Sequence, residues 1–296
     1  MIVAFAQNPG DFLAIEFDAL VQLLGLISFF VISLLLGGVV ANRVYSLEPS
    51  SFSSSKAKSD GIFYNSIKVL GGGGSFGLIL VSSFKSYFRK VRNITMLAYG
   101  VGLILVMNVF LMQPDDTVSA MLGSFIMGPL LAVFTVGDVT LQGKENLLLY
   151  KQTPSGTFRY LCAKLFHYLL IVVPLTLIIE GLITLGVPNL TLEGLLINLG
   201  LTFSLAASAT VFTLGIFLLN PAYHDKSAEY MINIQICVFA VIIPFFVCLM
   251  TVDQPLYDIF GIIDAFYPTL IVYAFIMWIF AGVTLHLGVK KLSNLE

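Results

Sequence analysis

The chain has 296 residues, of which 58% are hydrophobic and only 11% are charged. Its mean hydropathy is +0.95. A soluble domain carries about 25% charged residues, so this composition excludes a protein whose whole surface faces water. The net charge of −2 is too small to indicate a nucleic-acid partner. The three cysteines lack the spacing of a metal site or a disulfide framework, and we expect neither. The sequence therefore predicts an integral membrane protein.

Apolar runs long enough to cross a bilayer recur along the chain. A spanning helix needs about 20 mostly apolar residues, and helices pair their own backbone polar groups in lipid. We therefore predict an all-α fold, a polytopic membrane helix bundle with one extra N-terminal span before a six-span core. The seven predicted spans are Phe17–Val40, Ile94–Met112, Val118–Val139, Tyr160–Val187, Gly194–Leu219, Met231–Val252 and Pro268–Val289.

The basic residues predict the orientation of these spans. All 15 Lys and Arg residues fall on one side of the predicted membrane. The charged residues on the opposite side are all acidic. Lys and Arg are retained on the cytoplasmic side of a membrane. We therefore expect a multi-pass protein of the plasma membrane, with its N-terminus outside and its C-terminus in the cytoplasm. The first residues lack the basic region of a secretory signal peptide.

Composition divides the chain into three regions. Residues 1–45 contain the N-terminal transmembrane helix, residues 46–75 form a Ser/Gly-rich cytoplasmic linker, and residues 76–296 form the six-span membrane domain. A segment rich in serine and glycine is typical of a flexible linker. The glycine run Gly71–Gly74 lacks the pattern of a phosphate-binding loop, and the chain contains no P-loop motif. The chain therefore has no ATP site of this kind.

The segment after the linker predicts an amphipathic helix. Leu80, Phe84 and Phe88 recur at helical spacing, while Lys85 and Arg89 fall on the opposite face. A helix with a basic polar face is suited to lie along the cytoplasmic surface of the membrane. The alternative is a basic cytoplasmic extension of the next span, which would satisfy the charge pattern equally well.

The stretch Gly137–Leu165 is the most informative part of the sequence. It leaves one predicted span, turns at Gly143–Glu145, continues through the apolar run Leu147–Tyr150 and reaches the next span after Pro154-Ser155. This order resembles the type-2 ABC exporter permeases, which have a Gly/Glu-containing turn, a short apolar helix and a Pro-Ser turn here. The resemblance covers residues 76–296 and includes the six-span layout.

The resemblance implies a function and a set of partners. In the family this cytoplasmic element is the coupling helix, which docks onto the ATP-binding subunit. The chain would then be the permease subunit of an ABC exporter, with no enzyme activity or cofactor of its own and with ATP on the partner subunit. The residues implied to contact the ATPase subunit are Gly143, Lys144, Glu145, Leu147, Leu148, Tyr150 and Pro154.

The family layout also implies a second permease half or a homodimer around a central path. The extra span Phe17–Val40 departs from this layout. In two-half exporters such a span and linker would precede a second permease half. The chain is therefore also consistent with one half of a longer or split transporter.

Polar residues inside the spans are candidates for a transport path. Glu180 lies within the fourth predicted span, and ionisable groups at membrane depth usually face the bundle interior or an aqueous path. Its position near the outer end of the span would also allow it to reach water. Asn198 and Thr202 belong to a polar line on the next span, where small polar residues also serve helix packing.

Two alternative functions remain open on the sequence. One is a membrane-embedded enzyme that uses Glu180, His167 or Asp138. The other is a non-catalytic membrane scaffold. We expect His167 to be interfacial or hydrogen-bonded, and Asp138 to cap its helix or pair with Lys144. Co-purification with a P-loop ATPase would favour the permease, and activity of the purified chain without nucleotide would favour the enzyme.

Overall fold

A computed structural model describes residues 61–106, 128–139, 156–187, 191–222, 228–252 and 266–293. All of them belong to one compact unit, Asp60–Glu296. The predicted span Phe17–Val40 and residues 46–60 of the predicted linker lie outside the described residues. Within the described ranges the secondary structure consists of helices and turns without a strand. The predicted all-α class is therefore confirmed for this part of the chain.

Eight helices occur in the described residues. In chain order they are α1 (Ile62–Leu70), α2 (Ser75–Arg89), α3 (Val91–Val106), α4 (128–136), α5 (Gly156–Leu185), α6 (Leu192–Leu219), α7 (Ala228–Val252) and α8 (Phe266–Ser293).

Long apolar segments in three of these helices identify a membrane protein. The segments long and apolar enough to cross a bilayer are Phe158–Leu185, Leu192–Leu219 and Leu270–Lys291. They coincide with the fourth, fifth and seventh predicted spans. Val91–Val106 and Ala228–Val241 are shorter apolar helical segments. The described chain is thus an all-helical protein with transmembrane helices in its α5, α6 and α8 segments.

Helix α1 corrects the predicted linker, because Ile62–Leu70 is helical rather than flexible. The glycine run that suggested a linker ends this helix. Gly72 and Gly73 have φ values of 76° and 71°, a conformation that glycine adopts without steric cost. Their backbone N–H groups donate to the Val69 and Lys68 carbonyls at 2.8 Å. The chain then reverses into α2, and the side chain of Ile67 is buried.

Helix α2 confirms the predicted amphipathic helix. Its apolar side chains Leu80, Val81 and Phe84 are buried, whereas Arg89 is exposed. The backbone at Lys90 is extended, with φ −90° and ψ 112°, and this residue separates α2 from α3. Helix α2 is therefore a separate helix and not a continuous extension of the next span.

Consecutive long helices run in alternating directions. Asn93 and Gly100 on α3 meet Asp138 and Leu131 at the C-terminal and central parts of the α4 region, so α3 and α4 are antiparallel. The Tyr168–Asp138 contact and the proximity of Gly128 to Thr176 establish the same relation between α4 and α5.

The alternation continues through α8. Gly181 on α5 faces Leu199 on α6, which makes these two helices antiparallel across a short turn. The α6–α7 pair is antiparallel through Asn220 and Asn233, whose side chains and backbone exchange hydrogen bonds of 3.1 and 2.6 Å. Helix α8 runs parallel to α6, as expected when α7 lies between them in the chain.

Helices α6 and α8 approach each other through their backbones. A Cβ on Gly215 would lie 2.6 Å from the Leu285 backbone nitrogen, and one on Gly288 would lie 2.8 Å from the Gly215 carbonyl oxygen. Real Cβ contacts are not this short, so only glycine fits at these positions. Small residues that let helices approach closely are common at helix interfaces in membranes.

Candidate functional site

A buried polar cluster lies at the end of the bundle where α4 finishes. Its centre is Asp138, which is 5% exposed. We call Tyr87, Asn93, Asp138, Lys164 and Tyr168 the Asp138 network. The apolar side chains at this end of the bundle come from α1, α2, α4, α5, α6 and α7 and form the largest hydrophobic cluster among the described residues. An ionised carboxylate surrounded by apolar groups requires hydrogen-bond donors.

Two side chains supply those donors. The Tyr168 hydroxyl donates to Asp138 Oδ1 at 2.7 Å, and Asn93 Nδ2 donates to Asp138 Oδ2 at 2.9 Å. Asn93 Nδ2 also donates to the Tyr87 carbonyl oxygen at 3.3 Å. The carboxylate of Asp138 thus connects helices α3 and α5, and Asn93 extends the connection to α2. Hydrogen bonds to a charged group are among the stronger ones in proteins.

A buried cation accompanies the carboxylate. Lys164 is 3% exposed, and its Nζ lies 5.9 Å from the Tyr160 ring centroid and 5.8 Å from that of Tyr168. Ammonium groups within about 6 Å of an aromatic ring are attracted by its electron-rich face. Asp138 also interacts with Lys164 electrostatically. The network therefore combines a buried acidic side chain with a buried basic one.

Tyr87 closes the network on the α2 side. Burial raises the pKa of the Tyr87 hydroxyl well above its usual range, and the Asp138 charge raises it further. Both effects disfavour a second negative charge next to Asp138. Tyr87 is therefore neutral near pH 7.

Arg92 and Tyr230 add a second polar contact at this end of the bundle. Arg92 Nη2 donates to the Tyr230 hydroxyl at 2.8 Å, and the guanidinium carbon lies 5.2 Å from the Tyr230 ring centroid. Tyr230 reaches the end of α4 as well, where a Cβ on Gly137 would lie 2.9 Å from its hydroxyl oxygen. Helix α7 is thereby connected to α3 and to the residue before Asp138.

His167 is buried, and the predicted hydrogen bond is not found among the described residues, whereas its position at the membrane interface stays a prediction. Its side chain is 0% exposed, and neither ring nitrogen has a hydrogen-bond partner among the described residues. The ring instead packs edge-on against Phe84 and Tyr87, with centroid distances of 4.4 and 5.2 Å. The apolar face of α2 therefore encloses His167 as a core aromatic residue.

The Asp138 network joins the two ends of the segment predicted to be the coupling helix. That segment, residues 140–155, lies outside the described residues, as do all seven predicted contact residues from Gly143 to Pro154. Its flanking residues are described. Asp138 lies just before it, and Tyr160, Lys164 and Tyr168 lie on the first four turns of α5. The predicted partnership of Asp138 with Lys144 also falls outside, whereas its hydrogen bonds from Tyr168 and Asn93 are described.

The second candidate site is a buried polar stripe between α5 and α6. Thr176 on α5 and Ala206 on α6 both lie within 4 Å of a Cβ placed on Gly128. These two residues are therefore at the same height along the axis of the bundle. In an antiparallel pair, one turn forward on α5 matches one turn back on α6. Glu180 is therefore level with Thr202. One turn further, Thr184 is level with Asn198.

All members of this Glu180 stripe, which are Thr176, Glu180, Thr184, Asn198 and Thr202, are buried. Thr184 Oγ1 donates to Glu180 Oε1 at 2.9 Å. Glu180 Oε2 has no hydrogen-bond partner among the described residues. The side chain of Glu180 is 0% exposed, so of the two alternatives for this residue the structure shows the one that faces the bundle interior. The three predicted path residues Glu180, Asn198 and Thr202 are all buried, and the register of α5 against α6 places them within about one turn of one another along the bundle.

The residues considered for an embedded enzyme do not form one site. Glu180 follows His167 by 13 positions in the same helix, which corresponds to roughly 20 Å along the axis. His167 adjoins the Asp138 network, but aromatic rings cover it. Among the described residues, no group of three or more His, Cys, Asp and Glu side chains is arranged to hold a metal ion.

Sequence reasoning missed most of the Asp138 network. By sequence, Lys164 and Tyr168 belong to the start of a predicted span, and Asn93 carries no signal of a site. A usable signal was the spacing of Tyr160, Lys164 and Tyr168, which places three polar-tipped side chains on one face of α5. Asn93 and Asp138 are far apart in sequence, and only the packing of α3 on α4 brings them together.

Comparisons with other proteins identify no relative. No match was found to known protein-family models, to characterised proteins or to solved structures.

Proposed function

We propose that this chain is the membrane-spanning permease subunit of an ABC-type exporter, which moves its substrate with ATP hydrolysed by a separate subunit. The proposal combines the resemblance of Gly137–Leu165 to a coupling helix with the geometry at the two ends of that segment. It includes the seven-span topology, the cytoplasmic position of residues 140–155 and the pairing with a second permease half or a second copy.

The observation that carries the proposal is the connection between the two ends of residues 140–155. A coupling element transmits force only if both of its ends are attached firmly to the helices that it moves. The 2.7 Å bond from Tyr168 to Asp138 joins α5 directly to the end of α4. Asn93 attaches the same carboxylate to α3. A load applied to residues 140–155 would therefore reach three helices through one buried carboxylate.

Two further features support a transporter. The alternating directions of α3 to α8 agree with the six-span order expected of the family. The Glu180 stripe places polar groups at an interface between two membrane helices, where an isolated ionisable residue is costly and usually functional. Because the stripe is buried, we propose that it is the closed form of a path that α5 and α6 open during transport.

The test is co-expression of tagged variants with the cognate ATP-binding subunit. If Leu147–Tyr150 fills a groove on that subunit, Leu148→Ala or Tyr150→Ala removes a side chain at the centre of the contact. Such hot-spot residues typically contribute about 2 kcal/mol or more, so association should weaken by well over tenfold. Pull-down and stimulated ATP hydrolysis measure the loss.

A matched control is Leu182→Ala, which makes the same change on an exposed position of α5 remote from residues 140–155. It should leave assembly and hydrolysis unchanged. Unchanged assembly across the Leu147, Leu148 and Tyr150 variants would contradict the coupling-helix assignment. Activity of the purified chain on its own would favour an embedded enzyme. If neither association with the ATP-binding subunit nor independent activity is observed, a scaffold role is the best explanation.

A further inference from the structure

The hairpin formed by α1 and α2 carries charges of one sign only. Residues 61–90 contain four basic residues and no acidic residue. The basic residues are Lys68, Lys85, Arg89 and Lys90. A segment of this length with only positive charge attracts anions, and in a membrane protein the nearest abundant anions are lipid headgroups.

Several of these basic residues line a groove along the outer face of α2. The groove has a volume of about 480 Å³, and the described residues that line it include Leu78, Ser82, Lys85, Ser86, Arg89 and Lys90. These positions combine cations with hydroxyl groups and one exposed leucine. Phosphate groups accept hydrogen bonds from such donors. The leucine adds apolar surface at the N-terminal end of the same face.

The neighbouring helix α1 exposes apolar side chains. Ile62, Phe63, Val69 and Leu70 are 87%, 56%, 74% and 63% exposed. They fall on one side of the helix at 3.6-residue periodicity. Water would oppose this exposure, whereas the boundary between headgroups and acyl chains accommodates it. The short turn at Gly71–Gly74 places α1 against α2, where Lys85 Nζ lies 5.1 Å from the Tyr64 ring centroid.

We infer that the α1–α2 hairpin is a binding site for anionic phospholipid, with the headgroup phosphate held by Lys85 and Arg89 in the α2 groove and the apolar face of α1 inserted beside the acyl chains. This site requires only that the chain is a membrane protein, and it is independent of the proposed transport function. Basic residues near an anionic surface and an apolar helix face are the two features that bind helices at membrane interfaces.

The experiment uses the purified full-length chain in a neutral detergent at low salt. Phosphatidylglycerol and phosphatidylcholine are titrated in parallel, and binding is followed by microscale thermophoresis. Each basic residue near an anionic surface contributes about a fivefold factor in affinity. The double variant Lys85→Gln/Arg89→Gln should therefore weaken phosphatidylglycerol binding roughly thirtyfold, and phosphatidylcholine binding should change little.

The matched control is Lys290→Gln/Lys291→Gln, which removes the same charge from the last turn of α8. It should change phosphatidylglycerol binding by less than about threefold. An equal loss in both double variants, or no loss in either, would overturn the assignment. Equal competition by inorganic phosphate alone, at the concentration of lipid headgroups, would also overturn it, because the acyl chains would then contribute nothing.

A second measurement identifies the occupant directly. A photo-crosslinking amino acid in place of Ser82, which is exposed in the groove, is activated in native membranes and the adduct is identified by mass. An adduct with an anionic phospholipid supports the site. An adduct with another segment of this chain or with another protein would assign the groove to that partner and refute the lipid site.

Discussion

Replacement of Tyr168 by phenylalanine tests the Asp138 network most directly. The substitution keeps the aromatic ring, its packing and its contact with Lys164, and removes only the hydroxyl. Because both Tyr168 and Asp138 are buried, water has no ready access to replace the missing donor. The carboxylate of Asp138 would keep the bond from Asn93 and lose the 2.7 Å bond to Oδ1.

The size of the effect follows from that bond. A hydrogen bond to a charged group contributes about 1.5–3 kcal/mol to stability, which is a factor of roughly 10 to 150 in the unfolding equilibrium. For a chain of this size we expect the thermal midpoint to fall by about 3–12 °C. Tryptophan fluorescence or light scattering of the purified protein during heating measures the midpoint.

Tyr99→Phe is the matched control. It removes the same hydroxyl from an exposed position on α3, where the ring still packs against Phe134. Such a surface change should alter stability by less than about 0.5 kcal/mol. If Tyr168→Phe is no more destabilising than Tyr99→Phe, the hydroxyl does not stabilise Asp138 and the network reasoning fails.

A double-mutant cycle separates the network from general packing. Tyr168 and Asn93 donate to the same carboxylate, so Tyr168→Phe and Asn93→Ala should be non-additive by about 0.5 kcal/mol or more. Under the proposed function, Tyr168→Phe should also retain binding of the ATP-binding subunit while stimulated hydrolysis falls. Additive destabilisation together with full stimulation would mean that the two ends of residues 140–155 are not coupled through Asp138.

Three further predictions test other parts of the chain. A single cysteine at Glu193 should react with an impermeant reagent from outside, and one at Lys151 should not; labelling of the Lys151 position in intact cells would contradict the predicted orientation. Gly215→Ala should destabilise by about 1–3 kcal/mol because its Cβ meets the α8 backbone, whereas Gly200→Ala on the same helix meets nothing within 4 Å and should be neutral or stabilising in a thermal-melting assay. Limited proteolysis should cut within residues 46–60 and spare Ile62–Leu70, and early cleavage inside that helix would show that α1 does not stay packed.

The long helices were predictable because membrane insertion depends on local hydropathy. The predicted span Tyr160–Val187 and the observed helix Gly156–Leu185 differ by only a few residues, and the span Gly194–Leu219 ends where α6 ends. The amphipathic helix α2 was predictable for the same reason, since its two faces are visible in the residue spacing. The positions of the long helices and the two faces of α2 depend on residues that are close together in the sequence, within a few helical turns.

Features that depend on distant residues were not predictable. The serines before helix α1 and the glycines after it dominate the composition of the region, and this composition predicts a linker. The glycines end the helix and do not prevent it from forming. Ile67 has an apolar environment only because α2 folds back on it. His167 was expected to find a polar partner, but the rings of Phe84 and Tyr87 from another helix surround it. The Glu180 stripe was partly predictable from the sequence, because Asn198 and Thr202 share a face of one helix. Their height relative to Glu180 was not predictable, because it depends on the register of α5 against α6.

The backbone contact between α6 and α8 determines which parts of the bundle can slide. Two helices separated by a layer of long side chains can shift when those side chains change rotamer. At Gly215 and Gly288 such a layer is missing, and the carbonyl of one helix meets the other helix directly. We therefore expect helices α6 and α8 to move together as one body, and spin labels on the two helices should keep one distance. Any relative displacement in the described bundle must pass through interfaces with larger side chains, such as the one that α6 shares with α5.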